Sequence, residues 1–213
     1  VLEGVVKVFR SSKGDIRSVL RHIAGTKEFW SEKCVRQIVK SPVDFTISFL
    51  RQLELGDRLL TGRDSNAKIS TPIPQTALGV AELALVTMRR QGMFLLYPPD
   101  VAGWEWGTGW VSPAMMIERT RLAGLLFGPG RSTGTAALIV QRAQAAGATT
   151  SEAVIDTVTA MFDVNCDTEQ RDVLIAALNK GGGVGALANL QNASNALAPV
   201  MRLIFGMPAY QFC

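Results

Sequence analysis

Helical spacing of apolar residues between clear start and stop signals most constrains the fold of this chain. Ser41-Pro42 and Ser112-Pro113 each precede an apolar stretch of helical period, as expected where serine caps a helix and proline occupies its first turn. No stretch of four or more residues alternates apolar and polar side chains in a β-branched-rich run. The sequence therefore predicts an all-α protein, an irregular bundle of about eight or nine helices with no substantial sheet.

The start and stop signals also predict where individual helices lie. Asp15 is the predicted cap of the second helix, and capping boxes are predicted at Thr149 with Glu152 and at Asp167 with Gln170. Residues 57–74 are polar and rich in turn formers, which indicates an exposed loop. The predicted helices cover residues 2–10, 16–24, 42–56, 75–91, 113–127, 134–146, 151–162, 168–179 and 195–205.

A chain of 213 residues is long enough for one good core, so we expect one domain. Within it, residues 1–127 form a helical core that carries a Trp/Pro/Gly-rich loop at 93–112, and the helices of 128–213 pack on the same core. The chain opens within a predicted helix and without an initiator Met, which we interpret as a fragment of a longer protein. The first helix should then leave an apolar face uncovered unless the missing N-terminal part or another chain covers it.

The charge pattern argues against nucleic-acid binding, and the hydropathy pattern argues against a transmembrane helix. The 22 Lys and Arg and 18 Asp and Glu are scattered, without the like-charge run that is typical of a nucleic-acid-binding arm. No apolar run approaches the roughly 18 residues that a transmembrane helix needs. We therefore expect that the protein has no nucleic-acid partner and that the chain has no transmembrane segment.

Metal and cofactor motifs are incomplete. The chain has a single histidine, His22, and no zinc-ligand spacing, so we predict no metal site and no catalytic histidine. The glycine-rich stretch at 180–189 follows a helix rather than a strand, which argues against a dinucleotide fingerprint, and we expect no cofactor. The cysteines are Cys34, Cys166 and Cys213; Cys166 and Cys213 are the candidate disulfide in an oxidising compartment, and three reduced thiols are the alternative.

The strongest concentration of unusual residues is the stretch YPPDVAGWEWGTGW, from Tyr97 to Trp110. Its tryptophans, Trp104, Trp106 and Trp110, could bind a partner or a sugar, with Asp100 and Glu105 contacting hydroxyl groups. Alternatively the loop folds back and buries its indoles as part of the core. The second interpretation is favoured, because loops this apolar rarely stay in water.

This stretch resembles the signature of a bacterial family called domain of unknown function 1800. The signature residues present here, with their aromatic neighbours, are Tyr97, Pro98, Pro99, Asp100, Val101, Gly103, Trp104, Trp106, Gly109, Trp110 and Arg119. Two further blocks are similar to the family in the same order: DIRSVLRHIAGTKEFWSEKCVRQIVKSPVDFTISFLRQL near the start and MRLIFGMPAYQFC at the end. The resemblance is to the C-terminal half of the family, which is about twice as long.

The resemblance implies an exported protein located in the periplasm, at the cell surface or outside the cell. It also implies a partner, since members are often encoded beside an exported protein of the sulfatase or alkaline-phosphatase type. No reaction is established for the family. The expected function is thus a structural or interaction component of an exported assembly, with the signature loop ordering the bundle.

Two other functions stay open. One is a hydrolase acting on polysaccharide or ester polymers with its companion protein, in which Asp100, Glu105 and Glu118 supply acids and Arg119 orients an anion. The other is a glycan-binding module that uses exposed tryptophans. The shortage of titratable residues in plausible clusters favours the interaction component over the enzyme.

Overall fold

The computed structural model describes residues 1–56, 75–128 and 134–213, and these residues form nine α-helices. No strand occurs among them, and an isolated β-bridge joins Asp100 to Gly103. The all-α prediction is confirmed, whereas the loop predicted at 57–74 lies outside the described residues. The helices are α1 (Leu2–Ser11), α2 (Ile16–Ala24), α3 (Pro42–Gln52), α4 (Gln75–Arg90), α5 (Pro113–Phe127), α6 (Thr135–Ala145), α7 (Ser151–Met161), α8 (Thr168–Lys180) and α9 (Leu190–Gly206).

Four helices begin at the predicted cap, which is Asp15, Ser41, Ser112 or Asp167. The Asp15 carboxylate accepts hydrogen bonds from the backbone of Arg17 and Ser18, and Ser41 and Asp167 each form a capping box. The box predicted at Thr149 was wrong by one residue, because the Thr150 hydroxyl is the one that accepts from the Ala153 N–H.

Two predicted helix ends were also wrong. The last helix begins at Leu190 rather than near 195, since the Asn189 side chain caps it. The third helix ends at Gln52 rather than near Gly56, and Glu54 then adopts a left-handed backbone with φ of 52°.

The chain forms two compact units, Val1–Ile38 with Phe212–Cys213, and Val39–Gln211. In the smaller unit α1 contacts α2, and Gly4 makes room for the His22 imidazole: a Cβ at Gly4 would lie 2.6 Å from His22 Nε2. Ile38 and Cys213 exchange backbone hydrogen bonds of 2.8 and 3.2 Å. These units do not test the sequence-based division at residues 127 and 128, which stays a prediction.

The core of the larger unit is organised around α9, which packs against α5, α6 and α8. One side of α9 is buried along its whole length, through Ala193, Ala196, Leu197, Val200, Met201, Ile204 and Phe205. Each large apolar side chain removed from water in this way stabilises the fold by about 1.5–3 kcal/mol. None of the helices within the described residues is both long enough and apolar enough to cross a membrane.

An aromatic cluster joins the beginning of this unit to its end. The rings of Phe45 and Tyr210 lie 5.5 Å apart at 75°, and Phe205 stacks on Tyr210 at 5.3 Å. The Tyr210 hydroxyl donates to Gln52 Oε1 at 2.7 Å. Burial raises the pKa of this phenol, so Tyr210 stays neutral and acts as a hydrogen-bond donor.

Candidate functional site

The signature segment, residues 93–112, leaves α4 through a sharp turn. Gly92 has a φ of +87°, which a side chain with a Cβ rarely adopts, and its N–H donates to the Arg89 carbonyl. The Met93 N–H then donates to the Met88 carbonyl at 3.0 Å, and Met93 itself is buried. The segment is therefore held to the core at its first residue.

Local hydrogen bonds order the middle of the segment. Asp100 Oδ1 accepts from the Ala102 N–H at 2.7 Å, and the Asp100 carbonyl accepts from the Gly103 N–H at 3.2 Å. Gly103 and Gly107 both have positive φ, at 95° and 57°. Asp100 thus forms the tight turn that asparagine and aspartate favour, rather than capping a helix.

The far end of the segment is anchored by Trp110. Its side chain is only 4% exposed, and it closes the short 3₁₀ helix Gly107–Trp110. Ser112 follows, and its hydroxyl accepts from the Met115 N–H to start α5 as predicted. Trp104 is half-buried, and its indole N–H has no hydrogen-bond partner among the described residues. The interior position predicted for the indoles is therefore observed for Trp110 and partly for Trp104.

Trp106 contradicts the interior prediction. Its ring is 86% exposed, and the neighbouring turn also exposes Leu96, at 95%, Tyr97 and Val101. Leu96 has a left-handed backbone with φ of 66°, which is uncommon for a residue with a Cβ. We call Leu96, Tyr97, Val101 and Trp106 the exposed signature face. An ordered backbone that presents four large apolar side chains to water is typical of an interaction site.

Arg119, on α5, is fully buried. Its Nε donates to Gln91 Oε1 at 2.8 Å, one terminal nitrogen donates to Gln211 Oε1 at 2.5 Å, and the other donates to the Lys40 carbonyl at 2.7 Å. The guanidinium carbon also lies 4.7 Å from the centre of the Phe45 ring. Burial lowers the pKa of Arg119 to about 10, so the group is still charged at neutral pH.

Arg119 therefore connects three other parts of the chain through neutral acceptors. Gln211 is itself fixed, because its amide nitrogen donates to the carbonyls of Phe205 and Met207 at 2.8 and 2.9 Å. Sequence reasoning singled out Arg119 but missed Gln91, Gln211 and Lys40 as its partners. The sequence does indicate that Arg119 is buried, because it lies three positions before Leu122 and seven before Leu126 on an otherwise apolar helix face.

The residues considered for catalysis do not form a cluster with Arg119. The Glu118 carboxylate lies 3.9 Å from an Arg90 nitrogen and 3.5 Å from an Arg121 nitrogen. Glu105 lies over Gly109, where an added Cβ would be 2.9 Å from its carboxylate oxygen. Arg119 itself is inaccessible to a substrate anion.

The described part of the chain contains all three cysteines. Cys34, Cys166 and Cys213 are free thiols in the structure, and the disulfide between Cys166 and Cys213 stays a prediction for an oxidising compartment. Cys166 Sγ instead lies 3.9 Å from Met207 Sδ, and Cys213 Sγ contacts the Ile38 carbonyl. No three His, Cys, Asp or Glu side chains in this part of the chain are grouped so that they could hold a metal ion.

Comparison with protein families identifies a match that covers essentially the whole chain. The family described as protein of unknown function DUF1800 matches residues 1–212. The chain belongs to this family. Comparison with curated proteins finds no match, and comparison with solved structures finds none either. In this DUF1800 chain, two residues of the family signature, Trp110 and Arg119, are buried. The exposed signature face lies between Leu96 and Trp106.

Proposed function

We propose that this DUF1800 chain is a non-enzymatic interaction component of an exported assembly, at the cell surface, in the periplasm or in a secreted complex. The observation that carries the proposal is the exposed signature face. Leu96, Val101 and Trp106 project from a segment whose backbone is fixed by the Asp100 turn and by the buried Trp110. A preordered apolar surface loses little conformational entropy on binding, which favours association.

The chemistry of this face fits a protein partner. The face combines aliphatic with aromatic side chains, and large aromatic residues are enriched in the cores of protein interfaces. The carboxylates nearby already take part in a turn or in ion pairs, as Asp100 and Glu118 do. Family resemblance suggests one candidate partner, an exported protein of the sulfatase or alkaline-phosphatase type.

The proposal is tested by replacing the face without disturbing its anchors. The triple variant Leu96→Ser, Val101→Ser and Trp106→Ser should keep the thermal stability of the wild type, because these side chains bury little area in the fold. It should reduce co-purifying partner protein by about 10-fold or more, as measured by quantitative mass spectrometry after affinity purification from the organism that encodes it.

The matched control is the double variant Val173→Ser and Leu190→Ser, which changes exposed apolar side chains on α8 and α9. This variant should retain the partner at the wild-type level. If both variants lose the same proteins, or neither does, the exposed signature face is not the docking surface.

Glycan binding is the second candidate, and the exposed rings of Tyr97 and Trp106 favour it. Aromatic rings of this kind can stack on sugars, although the aliphatic Leu96 and Val101 give a sugar little to hydrogen-bond. A shift of tryptophan emission on adding soluble polysaccharide, abolished by Trp106→Phe, would support this function over a protein partner.

A further inference from the structure

The positive charge of the chain is concentrated in its first 38 residues. They contain eight of the 22 Lys and Arg but only four of the 18 Asp and Glu, which gives a net charge of +4. The whole chain also has a net charge of +4, so residues 39–213 are balanced. The smaller unit, which contains α1 and α2, is thus the basic part of the molecule.

The same unit exposes its apolar residues. Neither α1 nor α2 has a buried residue. Val5 and Ile23 are half-buried, as expected where the two helices contact each other. By contrast, large apolar side chains at helical spacing stay exposed on each helix, and two adjacent rings follow α2. These side chains, the outer apolar set, are Leu2, Val6, Phe9, Ile16, Leu20, Phe29 and Trp30.

Cations accompany the outer apolar set. Along α1, an open groove is lined by two cations, one carboxylate and apolar side chains: Leu2, Glu3, Val6, Lys7, Arg10 and Ser11. On α2, Arg17 and Arg21 are exposed next to Ile16 and Leu20 in the sequence. Short amphipathic helices with Lys and Arg beside Leu, Phe and Trp are the kind of element that lies in the headgroup region of a bilayer.

The environment of Trp30 favours a lipid surface as the partner of this unit. Its ring is 74% exposed, but its indole N–H already donates to the Ala24 carbonyl at 2.6 Å. Phe29 packs against it edge to face, with the ring centres 5.2 Å apart. Moving these rings into an apolar medium therefore leaves no unpaired indole donor, whose burial would be costly.

We propose that α1 and α2, with Phe29 and Trp30, form a peripheral membrane-binding face that takes anionic phospholipid. The net charge attracts the face to the negative surface, and the outer apolar set inserts to the depth of the headgroups. A second copy of this chain is a poor occupant, because two units of +4 repel each other. This inference is independent of the exposed signature face, since no residue is shared.

The test is co-sedimentation of the intact chain with phosphatidylcholine vesicles, with or without about 30% phosphatidylglycerol. We expect about 10-fold stronger partitioning onto the anionic vesicles, falling several-fold at about 0.5 M NaCl because salt screens the attraction. Leu2→Ser with Leu20→Ser should weaken binding by about 10-fold, and Lys7→Glu with Arg10→Glu should do the same.

The matched control is Leu85→Ser with Leu190→Ser, which replaces exposed leucines of α4 and α9 and should leave vesicle binding unchanged. Circular dichroism melting must show that each variant is folded as the wild type is.

Four results would overturn the proposal. The first is equal binding to both vesicle types. The second is binding to anionic vesicles that survives the Leu2 and Leu20 substitutions. The third is a dimer in sedimentation velocity that these substitutions dissociate, which would give the face to a second copy. The fourth is the absence of vesicle binding; binding of a synthetic Leu/Glu amphipathic peptide that depends on the outer apolar set would then give the face to a protein partner.

Discussion

The guanidinium of Arg119 is fully buried, and its hydrogen bonds to Gln91, Gln211 and the Lys40 carbonyl all go to uncharged oxygens. A buried cation is costly unless it is hydrogen-bonded, and the lowered pKa reflects that cost. Gln91, Gln211 and the Lys40 carbonyl are arranged to offset it. The three acceptors are equally dependent on the arginine, because they are buried and lose their donor if it is removed.

Replacing Arg119 by alanine should therefore lower the free energy of unfolding by about 3–5 kcal/mol, through the lost hydrogen bonds and the cavity. Arg121→Ala is the control, since this neighbour on α5 is 56% exposed and should cost about 0.5 kcal/mol or less. Urea unfolding measures both. A loss below about 1 kcal/mol for Arg119→Ala would mean that the network does not hold the core together.

At the scale of helices, α8 and α9 approach closely at one glycine. A Cβ on Gly181, just after α8, would lie 2.6 Å from the Ala196 Cα and 2.8 Å from its Cβ. Both atoms belong to a buried part of α9 and cannot move without shifting the helix. Gly185, four residues later, has no atom within 4 Å of the same hypothetical Cβ.

Gly181→Ala should thus destabilise the protein by about 1–3 kcal/mol through overpacking. Gly185→Ala is the matched control and should leave stability unchanged to within about 0.5 kcal/mol. Thermal unfolding followed by circular dichroism compares the two. Equal melting temperatures for the two variants would show that α8 and α9 are farther apart than described.

The helices were predictable because their signals are local. Ser41, Ser112 and Asp167 each accept a backbone hydrogen bond within three residues, so the sequence alone indicates the helix start. The sequence cannot distinguish two adjacent candidate caps such as Thr149 and Thr150. The backbone conformation decides which hydroxyl accepts a hydrogen bond from the first turn of the helix.

The site was less predictable because it depends on contacts between distant residues. Arg119 and Gln211 are 92 positions apart, and no local pattern pairs them. Trp106 and Trp110 differ by four positions and have opposite environments, since a 3₁₀ turn separates the exposed ring from the buried one. The composition singled out this loop as the candidate functional segment. The burial of each indole, however, depends on the backbone turns around it.

At the scale of the whole molecule, two surfaces carry the proposals for function. The exposed signature face belongs to the larger unit, and the basic face of α1 and α2 belongs to the smaller one. Each surface combines an ordered backbone with large apolar side chains that are exposed to water. Exposed apolar patches of this kind mark sites that bind a protein or a membrane. Central to the proposed function is the division of the signature segment into a buried anchor, Trp110, and the exposed signature face.

Iodide quenching of tryptophan emission tests that division directly. In a Trp30→Phe background, which removes the other exposed indole, Trp106→Phe should abolish most of the emission that iodide can quench. Trp110→Phe in the same background should leave the quenchable emission intact and remove only shielded emission. The opposite pattern, with quenchable emission that survives Trp106→Phe and disappears with Trp110→Phe, would contradict the account.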